Sequence, residues 1–286
     1  MERHNIMKKV GFVDYYLSEW HANNYPIWFR EMNAAAGTDY ELAYAWAELD
    51  VSPLDNVSTD EWCAKMGAEK CNTLAELCEK SDVIVILAPS DPEKHLPYAK
   101  EVLTYSKRTY IDKTFAPNSE EAKEIFRIAA EHNTPFFSTS ALRYADELKA
   151  FENANNFIIS GGGRSFEEYS VHLVEMAVVL LADPAAQVKV ECQGKQQICR
   201  IKTVSGKNAT LVYGHRAPYS VEAETANGED IYKPIQSDFF KHLMTDILHF
   251  FETGVLPFES AQTLEVMRLR DALLKAKDFD GQWMDV

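Results

Sequence analysis

The sequence predicts an α/β fold: a doubly wound parallel sheet, then an α+β domain with a mostly antiparallel sheet. Two observations carry this. Up to about residue 140, short apolar runs alternate with helical segments, the order that builds a parallel sheet. After that the alternation stops, and strand-like runs follow one another across short turns.

The elements follow in order. Lys9–Asp14 (KVGFVD) reads as a first strand and Glu19–Ala35 as the helix after it, broken by Gly37-Thr38-Asp39. Tyr40–Trp46 is a second strand; residues 50–60 are polar, hold Pro53 and read as a loop. Glu61–Met66 and Thr73–Lys80 are short helices. Val83–Leu87 and Thr109–Ile111 are buried strands joined by a helix over Pro92–Ser106, a parallel β-α-β unit. Asn118-Ser119-Glu120-Glu121 gives a polar, acidic start to a helix over Ser119–His132. Pro135–Ser138 is the last strand of this part.

Leu142–Ala154 is expected to be helical, and Phe157–Ile159 to lead into a flexible turn at Gly161-Gly162-Gly163. Glu167–Leu181 is a helix, apolar on nearly all sides in its second half and therefore buried. Strands follow at Val188–Cys192, Gln197–Val204, Ala209–Tyr213, Tyr219–Ala223 and Asp230–Ile235, with turn signals at Gly194, Ser205-Gly206 and Asn227-Gly228. Amphipathic helices over Ser237–Thr253 and Ser260–Lys277 close the chain. The expected domains are 1–140 and 141–286.

Bulk composition narrows the function. The 286 residues are 46% hydrophobic, enough for a proper core, and carry a net charge of −15. That balance argues against nucleic acid and anionic lipid as partners, since both call for a basic face. Five cysteines, Cys63, Cys71, Cys78, Cys192 and Cys199, form no CxxC pair and read as reduced thiols, with no metal site expected. No apolar run spans a bilayer, and MERHNIMKK lacks a signal core, so a cytoplasmic protein is expected.

Ligands of parallel sheets sit beyond the carboxyl ends of the strands. Those ends include Ala88-Pro89-Ser90 and Asp112-Lys113-Thr114. A lysine in such a place gives or takes a proton, or holds an anion, so Lys113 is the first candidate for chemistry. The bland reading is a surface lysine paired with Asp112. His172 lies four residues after Glu168 and three before Glu175, on one helical face, where a carboxylate can orient an imidazole for proton transfer. The bland reading there is a buried histidine satisfied by a neighbour.

With these residues placed, the chain resembles the glucose-fructose oxidoreductase / inositol dehydrogenase / MocA family. Asp82–Pro89 followed by His95 is similar to the family's strand, turn and helix histidine. Asp112-Lys113-Thr114 stands where the family has Glu-Lys-Pro, and Arg143-Tyr144 resembles its crossover. Glu168, His172 and Glu175 resemble its acidic-x-x-x-His-x-x-acidic segment after paired glycines. The resemblance implies a Rossmann-like dinucleotide-binding domain, a substrate and oligomerisation domain with an open-faced sheet, and a homodimer or homotetramer. It also implies NAD or NADP as cofactor and a small-molecule sugar, cyclitol or related hydroxy compound as substrate. Lys113, His172 and Glu168 would then be catalytic, with Asp14, Tyr15, Glu48, Pro89, Ser90, His95 and Asp112 around the cofactor.

One stretch departs from the family. The first strand should lead into GxGxxG, whose glycines let main-chain amides approach a pyrophosphate. Here Gly11 alone remains, inside the strand, and Asp14, Tyr15, Tyr16, Leu17 and Glu19 add bulk and negative charge. Three readings stay open: an NAD(P)-dependent oxidoreductase, a cofactor-free binding, regulatory or partner subunit, and an enzyme of non-redox proton transfer.

Overall fold

The computed structural model describes residues 7–152, 154–225 and 227–286; the reading of the first residues as lacking a signal core lies mostly outside them. They form two compact units. One runs up to Ser138 and takes in Lys241–Glu259; the other holds Thr139–Phe240 and Ser260–Val286.

The first unit is built on six parallel strands in the order β3-β2-β1-β4-β5-β6. These are β1 (Lys8–Asp14), β2 (Tyr40–Ala47), β3 (Glu69–Lys70), β4 (Val83–Ile86), β5 (Thr109–Ile111) and β6 (Phe136–Phe137). The order reverses between β1 and β4, which places a topological switch point at their carboxyl ends. Five of the strands lie where the apolar runs predicted them, and all four residues of β4 are buried, as a strand covered on both faces requires. Strand β3 was not anticipated: its two residues, Glu69 and Lys70, carry no apolar signal and pair at the edge with Tyr44 and Ala45.

The connecting helices are α1 (Trp20–Ala36), α2 (Thr59–Met66), α3 (Leu74–Lys80), α4 (His95–Val102) and α5 (Ser119–Glu131). Ser58 and Glu61 form a capping box on α2, Asn118 caps α5, and Gly37 ends α1 in the left-handed region, whereas α4 starts without a side-chain cap. The span expected as one helix over Pro92–Ser106 is α4 flanked by 3₁₀ turns at Pro92–Lys94 and Leu103–Tyr105. Helix α7 (Phe239–Thr253) belongs mostly to this unit. Phe250 packs edge-on to Phe137, and Phe251 lies against Phe29 and Tyr40. Arg108 donates to the Phe251 and Glu252 carbonyls at the end of α7, where acceptors are left over.

The second unit has a seven-stranded sheet, β12-β11-β7-β10-β9-β8-β13. Its strands are β7 (Ala154–Gly161), β8 (Ala185–Gln193), β9 (Gln196–Thr203), β10 (Asn208–Tyr213), β11 (Ser220–Thr225), β12 (Asp230–Pro234) and β13 (Met284–Asp285). All pairs are antiparallel except β7 with β10. Helix α6 (Phe166–Leu181) is buried along its second half, as its apolar run requires, and α8 (Ser260–Ala276) shares its core. Leu142–Ala154 is not one helix. It forms two 3₁₀ turns, Ala141–Tyr144 and Asp146–Phe151, and β7 already starts at Ala154. The apolar spacing that read as helical buries Leu142, Leu148 and Phe151 from successive turns instead.

The sole glycine left from the expected loop has a packing reason. A Cβ on Gly11 would stand 2.2 Å from Ser81 Oγ and 2.8 Å from Leu77 Cδ2, so α3 lies directly on β1. Gly11→Ala is expected to cost about 1–3 kcal/mol by overpacking. Adding Ser81→Gly should recover part of that loss in a urea-unfolding cycle. Additive effects of the two changes would show that this contact is not the reason.

Candidate functional site

Asp14 ends β1 and is 1% exposed. Its Oδ1 accepts from the amides of Tyr15 (2.7 Å) and Ala88 (3.0 Å), while Oδ2 is buried with no hydrogen-bond partner. Ala88 sits in the left-handed region at φ 55°, a conformation that costs a residue with a Cβ roughly 1 kcal/mol and that the bond to Asp14 helps hold. Five residues on, Glu19 caps α1: its carboxylate accepts from the amides of His21 (2.8 Å) and Ala22. It is 7% exposed. Burial, then the charge of Glu19, pushes the Asp14 carboxyl well above the usual carboxylate range. Burial raises Glu19 as well, against the pull of His21 and the two amides.

The loops after β1 and β2 are tied together. The Glu48 amide donates to the Asp14 carbonyl (3.1 Å) and the Leu49 amide to Tyr15 (2.8 Å), so the parallel ladder runs on past the strands. Ser18 Oγ donates to Asp55 at 2.7 Å and Ser52 Oγ to the Ser18 carbonyl at 3.1 Å. Lys94 sits 4.2 Å above the Tyr15 ring and pairs with Glu48 at 2.6 Å; Tyr98 donates to the same carboxylate at 2.8 Å. Glu48, expected at a ribose, is thus engaged by Lys94 and Tyr98, and the Lys94 hydrogen bond holds its carboxyl below the usual range.

At the end of β5, Asp112 is 1% exposed. It accepts from Tyr25 (3.0 Å) and Tyr110 (3.2 Å) and pairs with His21 Nδ1. Burial alone would raise its pKa, but His21, the charge of Lys113 and the Tyr25 hydrogen bond together hold it down to about 2. The neighbouring Lys113 is 8% exposed and donates to the Pro89 carbonyl at 3.2 Å. The sequence reading thus brings Lys113 and Pro89 together, with Ser90 half-buried in the same turn. The bland alternative, a surface lysine, does not hold. His95 departs from expectation. It is fully enclosed, with Nδ1 on the Phe115 carbonyl (3.0 Å) and Nε2 on that of Leu87, so it ties the β4 and β5 loops together rather than facing a cofactor.

In the second unit, His172 is half-buried on α6, with Nδ1 2.7 Å from Ser140 Oγ and its ring beside Tyr169 and Tyr219. Glu168, expected to orient it, pairs with Arg164 one turn back; the Ser140 hydroxyl takes the orienting place. Glu175 is 2% exposed and accepts from Arg143 Nε (2.6 Å), Thr139 Oγ1 (2.7 Å) and the Ser140 amide (3.3 Å). Gly161-Gly162-Gly163 is a close-packed corner, not a flexible turn. A Cβ on Gly163 would fall 2.0 Å from the Tyr169 ring, and one on Gly161 2.4 Å from Tyr219.

Sequence reasoning missed His21, Tyr25 and Ser140 as site residues. His21 meets Asp112 across 91 positions, which no local pattern signals. Cys63, Cys71 and Cys78 are buried thiols raised by burial to about 11, 11 and 12, well removed from thiolate chemistry at neutral pH. Among the described residues no group of three His, Cys, Asp or Glu is placed to hold a metal, and no helix is long and apolar enough to cross a membrane.

Comparison with known proteins agrees with this architecture. The model of the glucose-fructose oxidoreductase / inositol dehydrogenase / MocA family, described as an oxidoreductase family with an NAD-binding Rossmann fold, matches residues 50–140. No curated protein sequence matches the chain. A probable dehydrogenase from Thermotoga maritima superposes with a TM-score of 0.79 at 10% identity, covering 97% of this chain and 98% of that one. GenD2 from gentamicin A biosynthesis, solved in complex with NAD, gives 0.78 at 13% identity over 99% and 97%. A myo-inositol dehydrogenase from Corynebacterium glutamicum gives 0.76 at 12% identity over 98% and 99%. The chain resembles the family in sequence over that segment and shares the fold of these structures over nearly its whole length.

Two stability tests follow from the buried charges. A carboxyl raised in the fold contributes most stability below the ordinary carboxylate pKa and loses it as pH rises through the raised value. Asp14→Asn keeps the acceptor for Tyr15 and Ala88 and removes the charge. Its melting temperature should exceed that of the parent at pH 8 and approach it near pH 4, since each tenfold difference in proton affinity between the folded and unfolded chain is worth about 1.4 kcal/mol. A gap that does not change with pH would mean Asp14 is not buried as a raised acid. Glu175→Leu leaves Arg143 buried without its carboxylate, and about 3–5 kcal/mol should be lost in urea unfolding.

Proposed function

We propose that this chain, which carries the fold of the glucose-fructose oxidoreductase / inositol dehydrogenase / MocA proteins, acts on a hydroxyl-bearing or carbonyl carbon of a sugar, cyclitol or related hydroxy compound. Lys113 is its principal acid-base group. The observation that carries this is the placement of Lys113: a nearly buried ammonium at the carboxyl end of a parallel strand, on the Pro89 carbonyl beside the switch point. A positioned ammonium there protonates a developing alkoxide or polarises a carbonyl. In the second unit, taken by itself, His172 is oriented by Ser140, and Glu168 holds Arg164 on the same helix.

The oxidoreductase form of this reading is supported by the family description and by a neighbour solved with NAD. NAD or NADP, when bound, would supply hydride chemistry. The residues at its expected pyrophosphate place do not fit it in the ordinary pose, because Asp14 and Glu19 already hold the amides that a phosphate would use. Proton handling by Lys113 stands without it. That disagreement favours a second reading, in which the same lysine serves non-redox proton transfer such as isomerisation or elimination.

The test is turnover of a panel of sugars, cyclitols and their keto forms in deuterated water, with and without NADH or NADPH. Turnover that needs a dinucleotide supports the oxidoreductase form; carbon-bound deuterium without one supports the second. In either case Lys113→Met should lower the rate by roughly 10²–10⁴-fold with folding intact. Unchanged turnover would remove Lys113 from the chemistry.

A further inference from the structure

The loop that should cradle a dinucleotide is closed from three directions by the chain itself. At the start of α1, the His21 and Ala22 amides, the groups that a helix offers to a phosphate, donate to the Glu19 carboxylate. At the end of β1, the Tyr15 and Ala88 amides donate to Asp14 Oδ1. On the β2 side, the ladder from Leu49 to Tyr15 and the bonds among Ser18, Ser52 and Asp55 draw the two loops together. Asp14 Oδ2 stays buried with no hydrogen-bond partner, so the pocket already holds a carboxyl oxygen that meets no donor. A pyrophosphate would bring more acceptors and more negative charge to donors that are already in use.

We propose that Glu19 is an intramolecular stand-in for the phosphate of a dinucleotide, with Asp14 as a second guard, and that the unaltered chain therefore does not take NAD or NADP at this cradle. The inference rests on the fold of the first unit and not on the chemistry assigned to Lys113, so each can fail without the other. Both carboxylates serve the fold. Glu19 caps α1, and Asp14 holds Ala88 in its left-handed conformation. Glycine in their place would open the cradle and lose the cap, whereas serine is a good cap with a short, neutral side chain.

The experiment is a fluorescence titration of the whole purified chain with NADH and with NADPH, run on the parent, Glu19→Ser, Asp14→Asn and the double variant. Thermal denaturation with and without dinucleotide gives a second readout. The parent should show no saturation below millimolar dinucleotide and no thermal shift. Glu19→Ser should tighten binding by roughly tenfold or more, because it removes a carboxylate from the His21 and Ala22 amides, and the double variant, with no ionisable group left at Asp14, at least as much. Should Glu19→Ser not fold, Glu19→Asn, a good cap with a short, neutral side chain, carries the same prediction. Micromolar binding by the parent overturns the proposal, and so does a folded double variant that binds no better than the parent.

Discussion

A helix that begins at the end of a parallel strand leaves main-chain amides pointing at one spot, where an acceptor must meet them and an anion is favoured. In this chain that anion is covalent: the Glu19 carboxylate on His21 and Ala22. The rest of the first unit's sheet end is arranged around this choice. With the helix start satisfied from within, the loop after β1 does not have to approach a ligand, so it needs no glycines. It accommodates Tyr15, Tyr16 and Leu17, the last almost fully buried. The ladder between β1 and β2 then runs on through Tyr15 and Leu49, which a bound adenosine would interrupt.

The opposite side of the switch point is organised by neutral and cationic groups. His95 bridges two carbonyls and fixes the loops after β4 and β5; Lys113 takes the Pro89 carbonyl between them. Asp112 is satisfied by two phenols and an imidazole, so its charge is held in the interior by hydrogen bonds rather than solvent. This explains how an aspartate and a lysine adjacent in sequence have separate partners. Asp112 is turned to α1 and Lys113 to the β4 loop.

Most of the fold could be read from the sequence because it depends on local signals: apolar runs, the cap at Asn118 and the glycine stop at Gly37. The failures share a cause. Leu142–Ala154 has helical apolar spacing, yet it folds as 3₁₀ turns, with Glu147 accepting the Gln236 and Ser237 amides some ninety residues away. The triple glycine suggested freedom, whereas Tyr169 and Tyr219 fill the space its missing side chains leave. In the site, Lys113 was legible from its place after a strand. The carbonyl partners of His95 were not, because a histidine's partners are set by tertiary contacts that sequence spacing does not contain.

His21 joins the two sides. Its amide donates to Glu19 while its ring holds Asp112, the residue before Lys113. Strand β4 alone separates β1 from β5, so Asp14 and Lys113 start from backbones about 10 Å apart, two strand spacings. A change at the Glu19 cap therefore reaches Asp112, next to Lys113, through one side chain. A dinucleotide phosphate that displaced Glu19 would have to keep the His21 amide in place or disturb Asp112. The self-capped loop and Asp112, the residue before the lysine, are thus joined by hydrogen bonds through His21. Fold likeness alone does not determine what such an arrangement does. What decides it is whether the anion on His21 and Ala22 belongs to the chain or to a ligand.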